Sequence, residues 1–297
     1  MWSTDSITAH LVGSGPTGGI WLARTGFALA CLIKVLVESG REYRGYYQPT
    51  TYLYFRLRVR FLKHRDRLPT AAHYRLFLYA RAVCAVLLLL GVAPGPAAAG
   101  LAVCFAFESF IYFKFHVNFF ALLSACFVFA PTLPPLWDAA VAVTDGGMRA
   151  GWDVIDGSAG SRFCQSAVLL TVSALYIGSA YRKLNPTFLS GTAVWAVLGY
   201  TLSELPRRHH FDGWYPAPVR RWVGAVQPGD AVLRVPMAAV VVIEAALPFA
   251  LLYPPAWPYA VAIGVAMHLA FTYLFPATLT AFSIATVSTY FAFLSLN

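Results

Sequence analysis

The sequence predicts an all-α fold, a bundle of about eight helices that cross a membrane. Of the 297 residues, 59% are hydrophobic and 12% are charged. The mean hydropathy is +0.62, far above that of a soluble domain. The hydrophobic residues form runs separated by short polar loops, and 19 Pro and 22 Gly fit kinked spans and tight turns. We therefore expect one transmembrane domain over residues 1–297, integral to the cell membrane.

The apolar runs set the expected spans in chain order. The first is expected over about residues 20–37, and the second, over about residues 82–92, follows a basic segment. The remaining spans are expected at about residues 100–113, 113–131, 165–181, 231–253, 257–275 and 278–296. One more run, residues 192–203, is too short to cross and predicts a re-entrant or buried helix.

Positive charge is concentrated between the first two spans. Residues 41–81 hold ten Lys or Arg against Glu42 and Asp66, which predicts a cytoplasmic loop or a helix lying on anionic lipid. Residues 132–163 are poor in cations and predict an external loop. Because the cations lie between apolar runs, the net charge of +9 indicates membrane lipids as partners and argues against nucleic acid.

The cysteines and histidines give no metal-binding spacing. The five cysteines are scattered without a CxxC pair, and most lie in or beside apolar runs, where a thiol behaves as a small hydrophobic group. His209 and His210 are adjacent, and adjacent side chains diverge on a helix. We expect neither a metal site nor a required disulfide.

Ionisable residues inside the apolar runs are candidates for a functional site, because an unpaired charge in a span costs a few kcal/mol. Arg24 lies in the first expected span and is either a buried structural partner or a site residue. Glu108 lies in the third, with Lys114, His116 or Lys183 as expected partners.

The stretch from Tyr176 to Gly191, YIGSAYRKLNPTFLSG, organises the rest of the chain. An apolar run ends there on Arg182 and Lys183, and Asn185-Pro186 stops the helix. An ammonium beside an apolar wall loses hydration, so a lysine in this position can serve as a base or acid. The alternative is that both cations only mark the membrane interface.

This stretch resembles the vitamin K-dependent gamma-carboxylase family and its bacterial relatives, the HTTM-domain proteins. The shared pattern is a small-residue helix turn, Lys-Leu, a polar-Pro turn, an aromatic residue, Leu and Gly. In that family the lysine before the turn is the catalytic base that deprotonates vitamin K hydroquinone, and Lys183 falls on it. The family usually has Trp where this chain has Phe188.

Four further places resemble the same family. His116 precedes Leu122-Leu123 at the offset of a functional histidine, and Arg24 opens the first span. Glu244 is followed by Pro248 in a late span, and His268 lies in the phrase MHLAFTYLF. The candidate catalytic residues are Lys183, His116, Glu244, His268 and Glu108, and the candidate substrate-binding residues are Arg182, Asn118, Arg24 and Asn185.

The resemblance implies an integral-membrane enzyme that moves protons on a bilayer-dissolved quinol or other isoprenoid. Its implied cosubstrate is reduced menaquinone or vitamin K hydroquinone, used with oxygen. Lys183 is the expected base, and His116 its proton partner or oxyanion stabiliser. The chain ends at Asn297 directly after a span, without the large luminal region of the animal enzymes, so we do not expect carboxylation of a protein substrate.

Two other functions stay open at this point. In a membrane terpene cyclase, Glu244 or Glu108 would protonate an isoprenoid, aromatic side chains would stabilise the carbocation, and Arg clusters would hold a diphosphate. The chain has no DDxxD or DxDD motif, however. In a non-catalytic membrane partner for immunity or export, the charged residues would be structural pairs.

Overall fold

The structure, a computed structural model, describes residues 14–15, 18–43, 71–111, 115–130, 135–156, 160–204 and 217–296. Their regular secondary structure is helical apart from one antiparallel pair of two-residue strands, β1 (Ser14–Gly15) and β2 (Gly160–Ser161). The all-α prediction is confirmed. The expected basic segment lies largely outside the described residues, as do His209 and His210.

The α-helices of the described residues are, in chain order, α1 (Gly18–Tyr43), α2 (Ala71–Leu90), α3 (Pro94–Ile111), α4 (Phe115–Phe127), α5 (Leu136–Asp156), α6 (Arg162–Lys183), α7 (Pro186–Leu189), α8 (Thr192–Glu204), α9 (Ala217–Ala225), α10 (Ala231–Leu252), α11 (Trp257–Leu274) and α12 (Pro276–Thr289). Short 3-10 helices precede α11, at Pro254–Ala256, and follow α12, at Tyr290–Leu296.

Four segments of the described chain are long and apolar enough to cross a membrane, as an integral membrane protein requires. They are Gly18–Ser39, Arg162–Lys183, Ala231–Leu252 and Pro254–Leu274. The prediction of about eight spans is not supported. Helix α4 has 13 residues and α12 has 14, short of the roughly 20 that a crossing needs. Helices α2 and α3 carry Arg81 and Glu108, which shorten their apolar stretches.

The expected plain loop over residues 132–163 is a further correction. Most of it is helix α5, because Trp137, Val141 and Met148 recur at helical spacing between its aspartates. Gly147 breaks the helix with a φ of 79°, a conformation that glycine adopts without strain. A reading based on charge alone missed this periodicity.

The chain divides into two compact units. Unit 1 comprises Met1–Thr171 together with Ile284–Asn297, and unit 2 comprises Val172–Ser283. In unit 1, α1 packs on α2, and α3 packs on both α2 and α4. Its interior is aromatic: the ring centroid of Phe120 lies 5.6 Å from that of Phe27 and 5.0 Å from that of Phe105. Ring contacts at these distances add to the stabilisation that comes from burial.

Unit 2 is built on the packing of α10 against α11. A smaller cluster joins the buried side chains of Leu198 and Val223, with Trp222 packed beside them. Proline begins several helices in both units, because its missing N–H is not needed there. These positions are Pro94, Pro186 and Pro276.

The first testable prediction concerns the close approach of α1 and α12 within unit 1. A Cβ added at Gly26 would overlap the Cβ of Ser288. The substitution Gly26→Ala is therefore expected to lower the free energy of unfolding by about 1–3 kcal/mol, because a well-packed contact must open. Thermal unfolding in detergent measures the loss.

Two second-site variants test the cause. Adding Ser288→Gly to Gly26→Ala removes the overlapping Cβ and is expected to restore part of the lost stability. Adding Ser288→Ala keeps that Cβ and is expected to restore none. If both double variants were equally stable, the overlap between the two Cβ atoms would not be the cause of the lost stability.

Candidate functional site

Unit 2 contains an ion pair between Lys183 and Glu244. The Nζ of Lys183, in the last turn of α6, lies 2.5 Å from Oε1 of Glu244 on α10. The Glu244 side chain is 4% exposed and that of Lys183 is 23% exposed. The carboxylate is thus held inside the unit, while the lysine lies at its edge.

Only half of the Glu244 carboxylate is used by this pair. Its Oε2 is buried and makes no hydrogen bond within the described part of the chain. The backbone carbonyl of Glu244 also lacks its usual helical donor, because residue 248, four positions later, is a proline without an N–H. A buried acceptor without a donor costs about 1–3 kcal/mol, so Oε2 is suited to receive a hydrogen bond from a ligand.

The turn after Lys183 is held by its own side chains. Asn185 caps helix α7: its Oδ1 accepts from the backbone N–H of Phe188 at 2.9 Å, and its Nδ2 donates to the carbonyl of Arg182 at 2.7 Å. Gly191 ends the turn with a φ of 79°, and a Cβ there would lie 2.6 Å from the Cβ of Leu233. Asn185, a predicted substrate-binding residue, therefore has its amide engaged in the turn.

Two phenylalanine rings lie beside the ammonium group. The Nζ of Lys183 is 5.5 Å from the centroid of Phe188 and 5.4 Å from that of Phe271. Both distances allow attraction between a cation and the face of a ring. Phe188 and Phe271 thus place aromatic rings next to the lysine.

A second group of buried polar side chains lies in the same unit. The Nε2 of His268 on α11 is 2.8 Å from the hydroxyl of Tyr176 on α6. The Nδ1 of the same ring is 3.2 Å from Oγ of Ser283. His268 and Tyr176 are each 2% exposed. The structure thus brings together three predicted catalytic residues, Lys183, Glu244 and His268, in unit 2.

Glu108, another predicted catalytic residue, belongs to a network in unit 1. Its Oε1 lies 3.0 Å from Nζ of Lys34, and its Oε2 lies 2.6 Å from Nη2 of Arg81. Glu38 completes the network, pairing with Lys34 and, at 2.5 Å, with Nη1 of Arg81. Two cations and two carboxylates cancel, and each carboxylate oxygen has a cationic partner. This is the arrangement of a structural network.

The buried guanidinium group of Arg81 also lies between two aromatic rings. Its Cζ is 4.6 Å from the centroid of Phe77 and 4.5 Å from that of Phe105. An arginine packed in this way stabilises the fold through its contacts with the rings as well as through its ion pairs. Arg81 therefore links α2 to α3 and, through Glu38, to α1.

The other predicted site residues lie apart from the Lys183 pair or outside the described side chains. Arg24 is fully buried within unit 1, as expected of a structural residue. Asn118 accepts a hydrogen bond from Ser109 on the neighbouring helix. Arg182 has an exposed side chain. The side chain of His116 lies outside the described ones, so its catalytic role stays a prediction.

Sequence reasoning did not single out the partners of these residues. Tyr176 lies seven residues before Lys183, which places both on one face of α6, and this spacing was a readable signal. Lys34 and Glu38 are four residues apart on α1, and this i, i+4 spacing could likewise be seen in the sequence. Ser283 is 15 residues from His268 and gave no signal.

The arrangement in unit 2 can hold and exchange a proton. A lysine and a buried carboxylate in contact can share one proton between them, and a neighbouring unpaired oxygen can accept another. No group of three or more His, Cys, Asp or Glu that could hold a metal occurs among the described residues.

No family model matches the chain, and no curated protein or solved structure matches it.

The second prediction separates the unit 1 network from the site. The substitution Glu108→Gln leaves Lys34 and Arg81 facing one carboxylate, so it is expected to destabilise the protein toward the lower end of about 3–5 kcal/mol, because the network is partly exposed. Thermal unfolding in detergent measures this loss. Asp153→Asn, at an exposed position, is the matched control and is expected to have no effect. An equal stability of both variants would contradict a structural role for Glu108.

Proposed function

We propose that the protein is an integral-membrane enzyme whose Lys183–Glu244 pair removes a proton from a hydrophobic, hydroxyl-bearing substrate dissolved in the bilayer. A quinol is the substrate class that we favour. The observation that carries the proposal is the buried Oε2 of Glu244, an acceptor without a donor beside a paired lysine.

The pairing of Lys183 is compatible with a role as base. In an apolar interior the ionic and the neutral forms of a lysine–carboxylate pair lie closer in energy than they do in water, because both ions lose hydration. A proton can therefore pass from Nζ to Oε1 across 2.5 Å when the substrate arrives. The neutral amine is then the stronger base, as the resemblance to gamma-carboxylases implies.

Two routes for the substrate proton lead to the same end state. The hydroxyl group can donate directly to Oε2 of Glu244, or to the amine of Lys183 after that amine has passed a proton to Oε1. Either way, one proton leaves the substrate and no electron moves. The pair ends as a neutral carboxyl group and an ammonium ion, and the ammonium ion stabilises the new oxyanion.

The surroundings of the pair favour a flat apolar substrate. The rings of Phe188 and Phe271 flank the ammonium group and offer apolar faces. An aromatic ring bearing hydroxyl groups fits such faces by stacking, at an advantage of about 0.5–1.5 kcal/mol per pair of rings. Reduced menaquinone has this chemistry, and with oxygen it would supply the oxidative part of any later reaction.

A terpene cyclase is the second candidate, and the same carboxylate bears on it. Protonation of an isoprenoid needs a neutral carboxyl group, and Phe188 and Phe271 would shield a carbocation. In the resting protein, however, Oε1 of Glu244 accepts a hydrogen bond from the ammonium group of Lys183 and does not present a proton to an isoprenoid. We therefore rank the cyclase below the quinol enzyme.

The third prediction tests the pair by product analysis. Membranes with wild-type protein, supplied with reduced menaquinone under air, are expected to form an oxidised product such as the quinone epoxide, identified by mass spectrometry. Lys183→Met and Glu244→Gln are each expected to lower its rate about 10²–10⁴-fold, the usual contribution of an acid–base group. Arg234→Met, an exposed cation on the same helix as Glu244, is the control.

The double variant Lys183→Met/Glu244→Gln guards against a loss of folding. It leaves neither charge unpaired, so it is expected to unfold at a higher temperature than the worse single variant. Its rate is expected to equal that of the single variants, because the two groups act as a unit. Product formation at the wild-type rate in Lys183→Met would contradict the proposal. A cyclised product from a prenyl diphosphate would replace it with the cyclase, and no product at all would favour a non-catalytic partner.

A further inference from the structure

Helix α5 in unit 1 exposes large apolar side chains. Trp137 and Val141, one helical turn apart, are 45% and 56% exposed, and Met148, which follows the break at Gly147, is 80% exposed. Leu136 and Val143 are only half-buried, although they are the larger apolar side chains of α5 that the unit covers in part. Apolar side chains clustered outside the packing of a unit are typical of a surface that contacts a further apolar partner.

The charged side chains of α5 begin on a different side of the helix. Asp138 and Asp145 are seven residues apart and share one side, about 100° round the helix from Trp137. Both are exposed, as are Arg149 and Asp153. Helix α5 is therefore amphipathic, and it is not among the four segments of the described chain that are apolar enough to cross a membrane. This combination is typical of a helix that lies in a membrane interface.

The strand pair of unit 1 fixes the end of α5 relative to two candidate spans. Because β1 pairs with β2, the starts of α1 and α6, which follow these strands within three residues, lie near each other. Both helices are candidate spans, so their starts lie at the same membrane surface. Three residues separate the end of α5 from β2, and a chain of that length reaches at most about 14 Å. Helix α5 therefore ends close to that surface.

Helix α5 also packs on the candidate span α1, and on α2. The side chains of Leu29 and Leu36 on α1 are 47% and 72% exposed, as expected of a helix that the acyl chains of lipid surround. The exposed side chains of α5 thus lie beside a surface that is in contact with the bilayer.

We propose that α5 binds the headgroup layer of the membrane, at the surface where α1 and α6 begin. Trp137 is the anchor, because an indole ring has an apolar body and one N–H, and such side chains are enriched at membrane interfaces. Val141 and Met148 enter the boundary between headgroups and acyl chains, and the aspartates stay in water. This interaction does not depend on the proposed function, since α5 belongs to unit 1 and the Lys183–Glu244 pair to unit 2.

The charge of α5 favours one class of lipid. Three of its exposed side chains are aspartates, Asp138, Asp145 and Asp153, against the single exposed cation Arg149. Helices that bind anionic lipid carry Lys and Arg on the polar face, because these cations are attracted to the negative surface potential. The partner of α5 is therefore a zwitterionic lipid surface.

The fourth prediction measures which surroundings Trp137 has. Fluorotryptophan-labelled protein is placed in nanodiscs of phosphatidylcholine, the signals of its eight tryptophans are recorded by ¹⁹F NMR, and Trp137→Phe assigns one of them. Two paramagnetic probes are compared: a lipid with a spin label on its headgroup, and a gadolinium chelate dissolved in water. The Trp137 signal is expected to be broadened at least about twofold more by the lipid probe than by the chelate, because the ring lies among the headgroups.

The matched control is Trp137→Phe/Asp138→Trp, which moves the indole ring one position along α5 to the side of the aspartates. Its signal is expected to be broadened more by the chelate than by the lipid probe. Replacing part of the phosphatidylcholine with anionic phosphatidylglycerol is expected to reduce the broadening of the Trp137 signal by the lipid probe, since the aspartates are then repelled.

Stronger broadening of the Trp137 signal by the chelate would overturn the proposal, because this face of α5 would then be in water. Broadening by neither probe would also overturn it, because protein, such as a second copy of the chain, would then cover the face. Equal broadening by the lipid probe with and without phosphatidylglycerol would overturn the preference for zwitterionic lipid.

Discussion

An ionised side chain inside an apolar helix has to find a partner of opposite charge, and this constraint organises both units. Unit 1 meets it for the carboxylates of Glu38 and Glu108, since Lys34 and Arg81 together contact all four of their oxygens. Unit 2 meets it in part, because Glu244 pairs through one oxygen and leaves the other buried without a donor. The complete network is suited to stability, and the incomplete one to binding and proton transfer.

The position of the incomplete pair is set by features that are local in sequence. Asn185 caps the short helix after Lys183, and the glycine at 191 allows the chain to turn against Leu233. On the opposite helix, Pro248 removes the backbone donor for the carbonyl of Glu244. Rigid turns of this kind hold the lysine side chain in a fixed position. A proton-transfer group needs a fixed position to meet its substrate in the correct geometry.

Much of the helical framework could be predicted from the sequence, because apolar runs and prolines report directly on helices and their starts. Lys183 and Glu244 could each be singled out, since a charge beside or within an apolar run is informative by itself. Their contact could not, because 61 residues separate them and no pattern in one helix encodes a distance to another. Glu108 is the harder case: a carboxylate in an apolar run looks the same in sequence whether its partners are structural or catalytic. The count of about eight spans is not supported among the described residues, because hydropathy does not distinguish a short buried helix from a crossing one.

The most direct test of the account is the protonation state of Glu244 when substrate binds. An infrared difference spectrum of wild-type protein, recorded without oxygen on addition of reduced menaquinone, reports on carboxyl groups that gain a proton. We expect a new band from a protonated carboxyl group that is absent from Glu244→Gln, because both proton routes end with a neutral carboxyl group beside the ammonium ion of Lys183. No such band in the wild type, or the same band in Glu244→Gln, would contradict the assignment of the Lys183–Glu244 pair as the base.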